Sequence, residues 1–205
     1  MQTYVSKRLL DANNTAITSS DVAASINNSI RYWKYRRFWF NSVSDTVTLT
    51  LNDGTIPQTG DFLVPVGGGF FIEYSSQRWP LQKVSADCYH DTYLDNGYGE
   101  PRIYARMGQA YECYPLPDRA YTVRRDILKD YSDLSDGSDT NDFTDNADRL
   151  INLWSLADLT AELRQDLEME NYYRNAARDE YRQLGVMSAK SNGSGTLTLN
   201  SFLTA

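Results

Sequence analysis

A single histidine and two cysteines among 205 residues leave little from which to build a metal centre or a catalytic triad. Cys88 and Cys113 lack the CxxC spacing of a zinc or redox site, and two cysteines define no disulfide framework. Both are expected as reduced thiols. His90 lies in Asp87-Cys88-Tyr89-His90-Asp91, where a Cys/His hydrolase site is the sharper reading, because i and i+2 share a face on a strand. No nucleophile elbow accompanies it, and a short helical or irregular connection over Cys88 to Leu94 is the plainer one. No catalytic residue, metal or cofactor is expected.

An excess of positive charge is also missing. Lys and Arg number 20 against 27 Asp and Glu, a formal net charge of −7, whereas wrapping nucleic acid needs clustered cations on phosphate. An acidic wall past which DNA slides without sticking stays compatible with this balance. No apolar run approaches the roughly 18 to 20 residues of a membrane helix. Met1 to Leu10 carries Lys7 and Arg8, but no apolar core or cleavage site follows, so no secretion signal is expected. The expected setting is a cytoplasm.

What is present points to a folded chain that meets partners. A hydrophobic fraction of 41% and an aromatic fraction of 13% exclude a wholly disordered protein. The length suits one domain, or a compact domain carrying an insertion. Fifteen Tyr stand against seven Phe, and tyrosine, apolar in body and polar at the tip, suits interfaces.

The hydrophobic period changes along the chain. Residues 1–44 read as helical, with a short helix over Thr3 to Ala12 and a longer one capped by Ser19 or Ser20. Asp21 favours its first turn, and Val22, Ile26, Ile30 and Trp33 form one stripe before the pattern frays near Phe40 and Asn41. Residues 45–126 switch to the strand period. Val47, Leu49 and Leu51 alternate with threonines before the turn Asn52-Asp53-Gly54. Phe62 to Val66 and Phe70 to Tyr74 flank Gly67-Gly68-Gly69, which reads as a hairpin tip. Further strands are expected at Leu81 to Ser85, Arg102 to Met107, Ala110 to Tyr114 and Ala120 to Arg125.

Residues 127–185 hold an acidic loop and then helices. Thr144 is the expected cap, with Ala147, Leu150, Ile151, Trp154, Ala157 and Ala161 on one face. Tyr173, Ala177, Tyr181 and Leu184 follow, and Gly185 is placed to end the helix. Residues 186–205 form the expected extended C-terminal tail. The fold class is therefore α+β: a helical bundle of N- and C-terminal helices, a central antiparallel β-rich insertion and that tail.

Four constellations carry the candidate surfaces. Arg31, Lys34, Arg36 and Arg37 interleave with aromatics from Tyr32 to Phe40, a pattern suited either to a nucleic-acid backbone or to aromatic packing with cations paired to acids of neighbouring subunits. Aspartates recur every third residue from Asp130 to Asp148; a calcium loop is the sharper reading, but the spacing Asp133-x-x-Asp136-Gly137 breaks an EF-hand. A solvated loop, lining a channel or answering the Arg cluster, is the plainer one. The Gly67–Gly69 run lacks the Lys-Ser/Thr of a nucleotide loop, leaving Gly68 at a tip that points into a channel or toward a partner. Leu197, Leu199, Phe202 and Leu203 place apolar side chains on a tether, suited to adding a strand or filling a groove in a partner.

Several segments together resemble the head-to-tail adaptor, or head-completion, proteins of tailed bacteriophages. Ile30 to Asn41, IRYWKYRRFWFN, is similar to the aromatic, basic end of that family's first core helix. Ile56 to Val66, IPQTGDFLVPV, is similar to its entry into the sheet, although Pro57 and Asp61 stand further apart here. Pro101 to Val123, PRIYARMGQAYECYPLPDRAYTV, resembles its strand pair, and Leu134 to Ile151 its acidic loop and following helix. The likeness spans roughly residues 20 to 165. It implies a non-enzymatic neck protein of the virion, assembled in the host cytoplasm. The copies would close into a ring of about 12 beneath the portal. That ring would extend the DNA channel toward tail or neck proteins without sequence-specific DNA contacts and without a membrane. It also implies that residues 186–205 reach onto the portal. The alternative is an accessory virion DNA-binding protein using the basic aromatic helix.

Overall fold

Thr18 opens the first long helix of the computed structural model, which describes residues 4–5, 18–92 and 97–191. Its hydroxyl accepts the Asp21 N–H while the Asp21 carboxylate accepts the Thr18 N–H, a capping box that sets the cap one residue before Ser19 and two before Ser20, the expected serines. Helix α1 is Ser19–Trp33. The strands β1 (Ser42–Leu49), β2 (Thr55–Ile56), β3 (Phe62–Tyr74), β4 (Gln77–Pro80) and β5 (Gln82–Lys83) follow, then α2 (Ala86–Thr92). Next come β6 (Tyr98–Gly99), β7 (Ile103–Met107), β8 (Ala110–Tyr114), β9 (Leu116–Pro117) and β10 (Tyr121–Lys129). The chain returns to helix in α3 (Asp142–Asn146), α4 (Asp148–Leu159), a π-helical turn at Thr160–Arg164, and α5 (Leu167–Ser191). Tyr4 and Val5 are helical; the rest of the helix expected over Thr3 to Ala12 lies outside the described residues.

The fold is mixed α+β and divides into two compact units. One takes the described residues of Met1–Asn41 and Tyr131–Ala205, the other Ser42–Asp130.

In the helical unit α1, α4 and α5 bury their apolar stripes in one core. Val22, Ile26, Ile30 and Trp33 of α1 meet Leu150, Ile151, Leu156 and Ala157 of α4, with Tyr173, Ala177 and Leu184 of α5. Each stripe follows the helical period, so burial rather than propensity stabilises these helices. Small side chains let α1 approach α4: Ser25 Oγ donates to the Ser155 carbonyl at 3.1 Å, and the Ser29 and Ser155 hydroxyls lie 2.9 Å apart. The cap of the second helical stretch is Asn141, whose Oδ1 accepts the Phe143 and Thr144 N–H groups. Thr144, expected as the cap, occupies the reciprocal position instead and accepts the Asn141 N–H at 2.8 Å. A further correction concerns Gly185. It is buried inside α5, which continues to Ser191, so residues 186–191 are helical rather than extended. Val186 to Lys190 are compatible with a helix, and the buried Ser188 hydroxyl donates to the Leu184 carbonyl at 2.9 Å.

In the β unit two four-stranded sheets run β1-β10-β3-β4 and β2-β8-β7-β5, and a small pair joins β6 to β9. Pairing is mostly antiparallel, but β5 with β7 and β6 with β9 are parallel, departing from the wholly antiparallel expectation. The core gathers Leu49, Ile56, Phe70, Ile72, Tyr104, Tyr111 and Val123. β10 lies between β1 and β3 and runs on to Lys129, beyond the expected strand end at Arg125 and the expected boundary of the insertion at residue 126. The turn between β3 and β4 is Ser75-Ser76, both at positive φ (49° and 65°), which is the twist a two-residue hairpin needs. No glycine announces it in the sequence.

Candidate interaction surfaces

The basic aromatic segment is not a continuous helix. α1 stops at Trp33, and the buried Asn41 explains why. Its Nδ2 donates to the carbonyls of Lys34 and Arg36 at 3.3 and 2.8 Å, and its Oδ1 accepts the Phe38 N–H at 2.8 Å. These carbonyls would otherwise continue the helical ladder; turned onto one side chain, they fold 34–41 into a tight loop. The loop delivers Phe38 into the core, fully buried, stacked on Phe40 and edge-on to Phe143 and Tyr181.

The four cations therefore part company. Arg31 Nε donates to Asp133 Oδ1 at 3.1 Å, with a second guanidinium nitrogen on Asp133 Oδ2, and its Nη1 reaches Asn28 at 3.1 Å. The acidic loop thus answers the Arg cluster at Arg31. Lys34 Nζ lies 5.6 Å from the centroid of the Tyr35 ring. Arg36 is half-buried and Arg37 exposed, and neither has an ion-pair partner among the described residues. Exposed Tyr32 stacks on Trp154 with ring centroids 4.6 Å apart, and the Arg174 guanidinium sits 4.2 Å from the same indole centroid.

The aspartates of the following loop fold the loop. The Asp139 carboxylate accepts the N–H groups of Asp136 and Ser135 and the Ser135 hydroxyl, all at 2.8 Å. These bonds, led by the Asp136 N–H, hold its carboxyl below the usual range. Asp136 accepts the Ser138 N–H, and Asn27 exchanges two hydrogen bonds with the backbone of Leu134. Among the described residues no three metal-ligating side chains converge. Between this loop, α1, α4 and α5 lies a cavity of about 600 Å3, whose wall includes Asp145, Asp148 and Asn152.

Gly68 stands elsewhere than expected. Gly67–Gly69 lie within the single strand β3, not at a hairpin tip. Pairing passes from Phe70 opposite Arg125 to Pro65 opposite Ile127, so Val66 to Gly69 bulge across from Asp126 alone. Gly67 and Gly69 take φ of +62° and +74°, and a Cβ on Gly69 would stand 2.6 Å from the Tyr104 hydroxyl. A Cβ on Gly68 would meet the Phe71 ring at 2.5 Å. Gly68 and Gly69 are required where the bulge packs onto aromatic side chains, and Gly67 by its positive φ alone.

Two features of the β unit bear on chemistry. Asp87 to Asp91 lies on α2, where residues two apart point well away from one another, so Cys88 and His90 do not share the face a strand would give them. Cys113 is buried, its thiol pushed up to about 12 by desolvation, and no disulfide joins it to the exposed Cys88. The residue that sequence reasoning missed is Arg125. Only 1% of its side chain is exposed, yet each of its three nitrogens is engaged: Asp45 accepts from Nε at 2.7 Å and from Nη2, the Pro57 carbonyl accepts from Nη1, and the Thr59 carbonyl accepts from Nη2 at 3.2 Å. Its alternation with Val123 and Ile127 placed it on the inward face of β10, the one signal available.

The tail residues Leu197, Leu199, Phe202 and Leu203 lie outside the described residues. Upstream, α5 exposes Leu167, Met169, Tyr172 and Met187, the first 69% accessible. Among the described residues no helix is long and apolar enough to cross a membrane. No protein-family model matches the chain, and no curated protein matches it in sequence.

Proposed function

We propose that this chain is a structural neck protein of a tailed bacteriophage, an adaptor that assembles as a ring between portal and tail and performs no bond chemistry. The observation that carries this reading is the exposure of large apolar side chains along α5, namely Leu167, Met169, Tyr172 and Met187, together with Tyr98 on the β unit. Scattered apolar residues are ordinary, but several on one 25-residue helix favour burial against another surface. The chain order supports it too, since a β unit interrupts a helical unit as the resemblance implies. In this reading α1, α4 and α5 form the bundle that gives each copy its rigid body. The copies close by heterologous contacts around about 12-fold rotation. DNA passes through the lumen without sequence-specific binding, and the apolar tail, Leu197, Leu199, Phe202 and Leu203, docks on the portal.

The truncation that tests tail docking follows from the helix end. Because α5 runs to Ser191 and the Ser188 hydroxyl accepts the Trp39 N–H at 3.2 Å, a cut at residue 186 removes part of the core. Deleting residues 192–205 spares it. The shortened protein is expected to fold and to lose sedimentation with purified portal; unchanged co-sedimentation overturns the tail assignment.

A second reading, an accessory virion DNA-binding protein, is favoured by one local observation. Tyr32 and Tyr35 are exposed beside Arg36 and Arg37, which have no ion-pair partner among the described residues. Filter binding separates the two. Tight duplex affinity that falls steeply with salt supports DNA binding, and weak affinity supports the adaptor.

A further inference from the structure

A strand at the edge of a sheet keeps half its backbone N–H and C=O groups turned outward, where another strand can bond to them. Among the described residues the two four-stranded sheets end in β1 and β4, and in β2 and β5. β4 is only Gln77–Pro80, with the Arg78 cation and a proline that has no N–H to offer. β2 and β5 have two residues each. β1 differs from all three. It pairs with β10 in unbroken register over Ser42–Leu49, and among the described residues no backbone group bonds to its other side. It has no proline, lysine or bulge, the usual devices that keep a foreign strand away. Its one charge, Asp45, is held by Arg125.

Side chains alternate along this edge. Ser44, Thr46 and Thr48 are exposed on one face. Val43, Val47 and Leu49 lie on the other, where Leu49 is buried but Val43 is still 37% accessible. A strand that fits beside β1 therefore carries an apolar residue at every second position, small hydroxyl residues between, and no charge. Such a sequence follows α5. After the helix ends at Ser191 comes Asn192-Gly193-Ser194-Gly195, a linker composition, and then Thr196-Leu197-Thr198-Leu199; residues 191–205 carry no charged side chain.

We infer that the open edge of β1 receives residues 196–199 of a neighbouring copy as an added strand. Leu197 and Leu199 cover Val43 and Val47, while Thr196 and Thr198 stand among Ser44, Thr46 and Thr48, where hydroxyl pairs favour cross-strand contact. Each copy gives a strand at one place and takes one at another, a heterologous contact that continues from copy to copy. The donor is a neighbour because the neck reading sets copies side by side, and on that point the pairing rests on it. Leu197 and Leu199 cannot hold an edge and a portal at once, so the pairing belongs to copies that have not yet docked.

Hydrogen exchange of the full chain without portal, read by mass spectrometry of its peptides, is the test. In the parent the β1 amides not bonded to β10 should exchange at least about tenfold more slowly in concentrated than in dilute solution. A donor variant, Leu197→Asp with Leu199→Asp, and an acceptor variant, Val43→Lys, should each lose that slowing. Unchanged exchange in β10 and α1 shows that both variants fold. Mixing the two should restore the slowing in β1 of the donor variant, whose edge is intact, since the acceptor variant still carries the parent tail. Slowing that ignores concentration places the tail on its own copy and overturns the pairing between copies. A mixture that stays unprotected overturns it too, as does a β1 that exchanges alike in parent and variants. No portal enters this measurement, so these failures strike the strand pairing alone; failure of the neck reading shows separately, as portal left unbound by the parent.

Discussion

The helical unit and the β unit are held by different kinds of contact. The first rests on interlocked rings and small side chains: Phe38, Phe40, Phe143 and Tyr181 around one corner, Trp33 against Trp154 with centroids 5.0 Å apart, and Ser29 against Ser155 where α1 meets α4. The second has its own apolar core but is pinned by a buried cation, Arg125, and shaped by a glycine bulge. Ring packing tolerates loss of charge and suffers from loss of volume. A buried guanidinium behaves the other way round. Substitutions should therefore separate the units by the chemistry to which each is sensitive.

The largest effect is expected from Phe38→Ala, which empties a fully buried ring site and should lower unfolding free energy by about 3–5 kcal/mol. Urea unfolding measures the loss, and hydrogen exchange should show the amides of α1, α4 and α5 opening first. Nearly as large is Asp45→Ala. The acid is 40% exposed while Arg125 is 1% exposed, so removing the acid strands a buried charge and should lose about 3 kcal/mol. Arg125→Met leaves only a hydrated carboxylate and should lose less. A reversed order would refute the view that this cation, rather than the apolar residues around it, pins the β unit.

Gly69→Ala comes next, at about 1–3 kcal/mol, because alanine is strained at φ +74° and its Cβ meets the Tyr104 hydroxyl. Gly60→Ala, also at positive φ but with nothing within 4 Å of a Cβ, should lose less and isolates the packing part of the effect. Smallest are the pH effects in the helical unit. Burial raises the Asp158 carboxyl above its ordinary value despite the Arg174 guanidinium 2.7 Å away. The folded state thus holds its proton longer, and stability contributed here declines as pH rises through the carboxylate range. Asp158→Asn should abolish that decline. Asp139, held low by loop N–H groups, has the opposite sign: its contribution is present at neutral pH and lost as pH falls below the ordinary carboxylate range. Unfolding midpoints measured from pH 3 to pH 7 should show the two slopes with opposite signs.

The same contrast explains what was legible in the sequence. The α1 stripe Val22, Ile26, Ile30 and Trp33 could be read directly, because burial on one helix face imposes its period. So could the hairpin of β7 and β8 through Gly108. The end of α1 could not, because it is decided by Asn41, a polar residue whose three hydrogen bonds are made only once the loop has closed. Gly67–Gly69 looked like a tip because glycine runs at turns and glycine bulges are alike in sequence; the register of β3 against β10 tells them apart. The helix continuing through Gly185 fails for a similar reason, since tertiary burial of Ser188 outweighs the local stop signal. Of the candidate surfaces, the pairing of the acidic loop with the Arg cluster could be anticipated in kind, but not that Arg31 would find Asp133. Arg125 stayed hidden because its alternation with Val123 and Ile127 gives its face but not its partners Asp45 and Thr59, which stand 80 and 66 residues away in the chain.

The central claim is that this protein works by fitting its surfaces against copies of itself and a phage portal. Native mass spectrometry of the full chain, alone and mixed with purified portal, tests it most directly. The account predicts a single complex in which a closed ring of about 12 copies joins the portal. A chain that stays monomeric and leaves the portal unbound at micromolar concentration would contradict it.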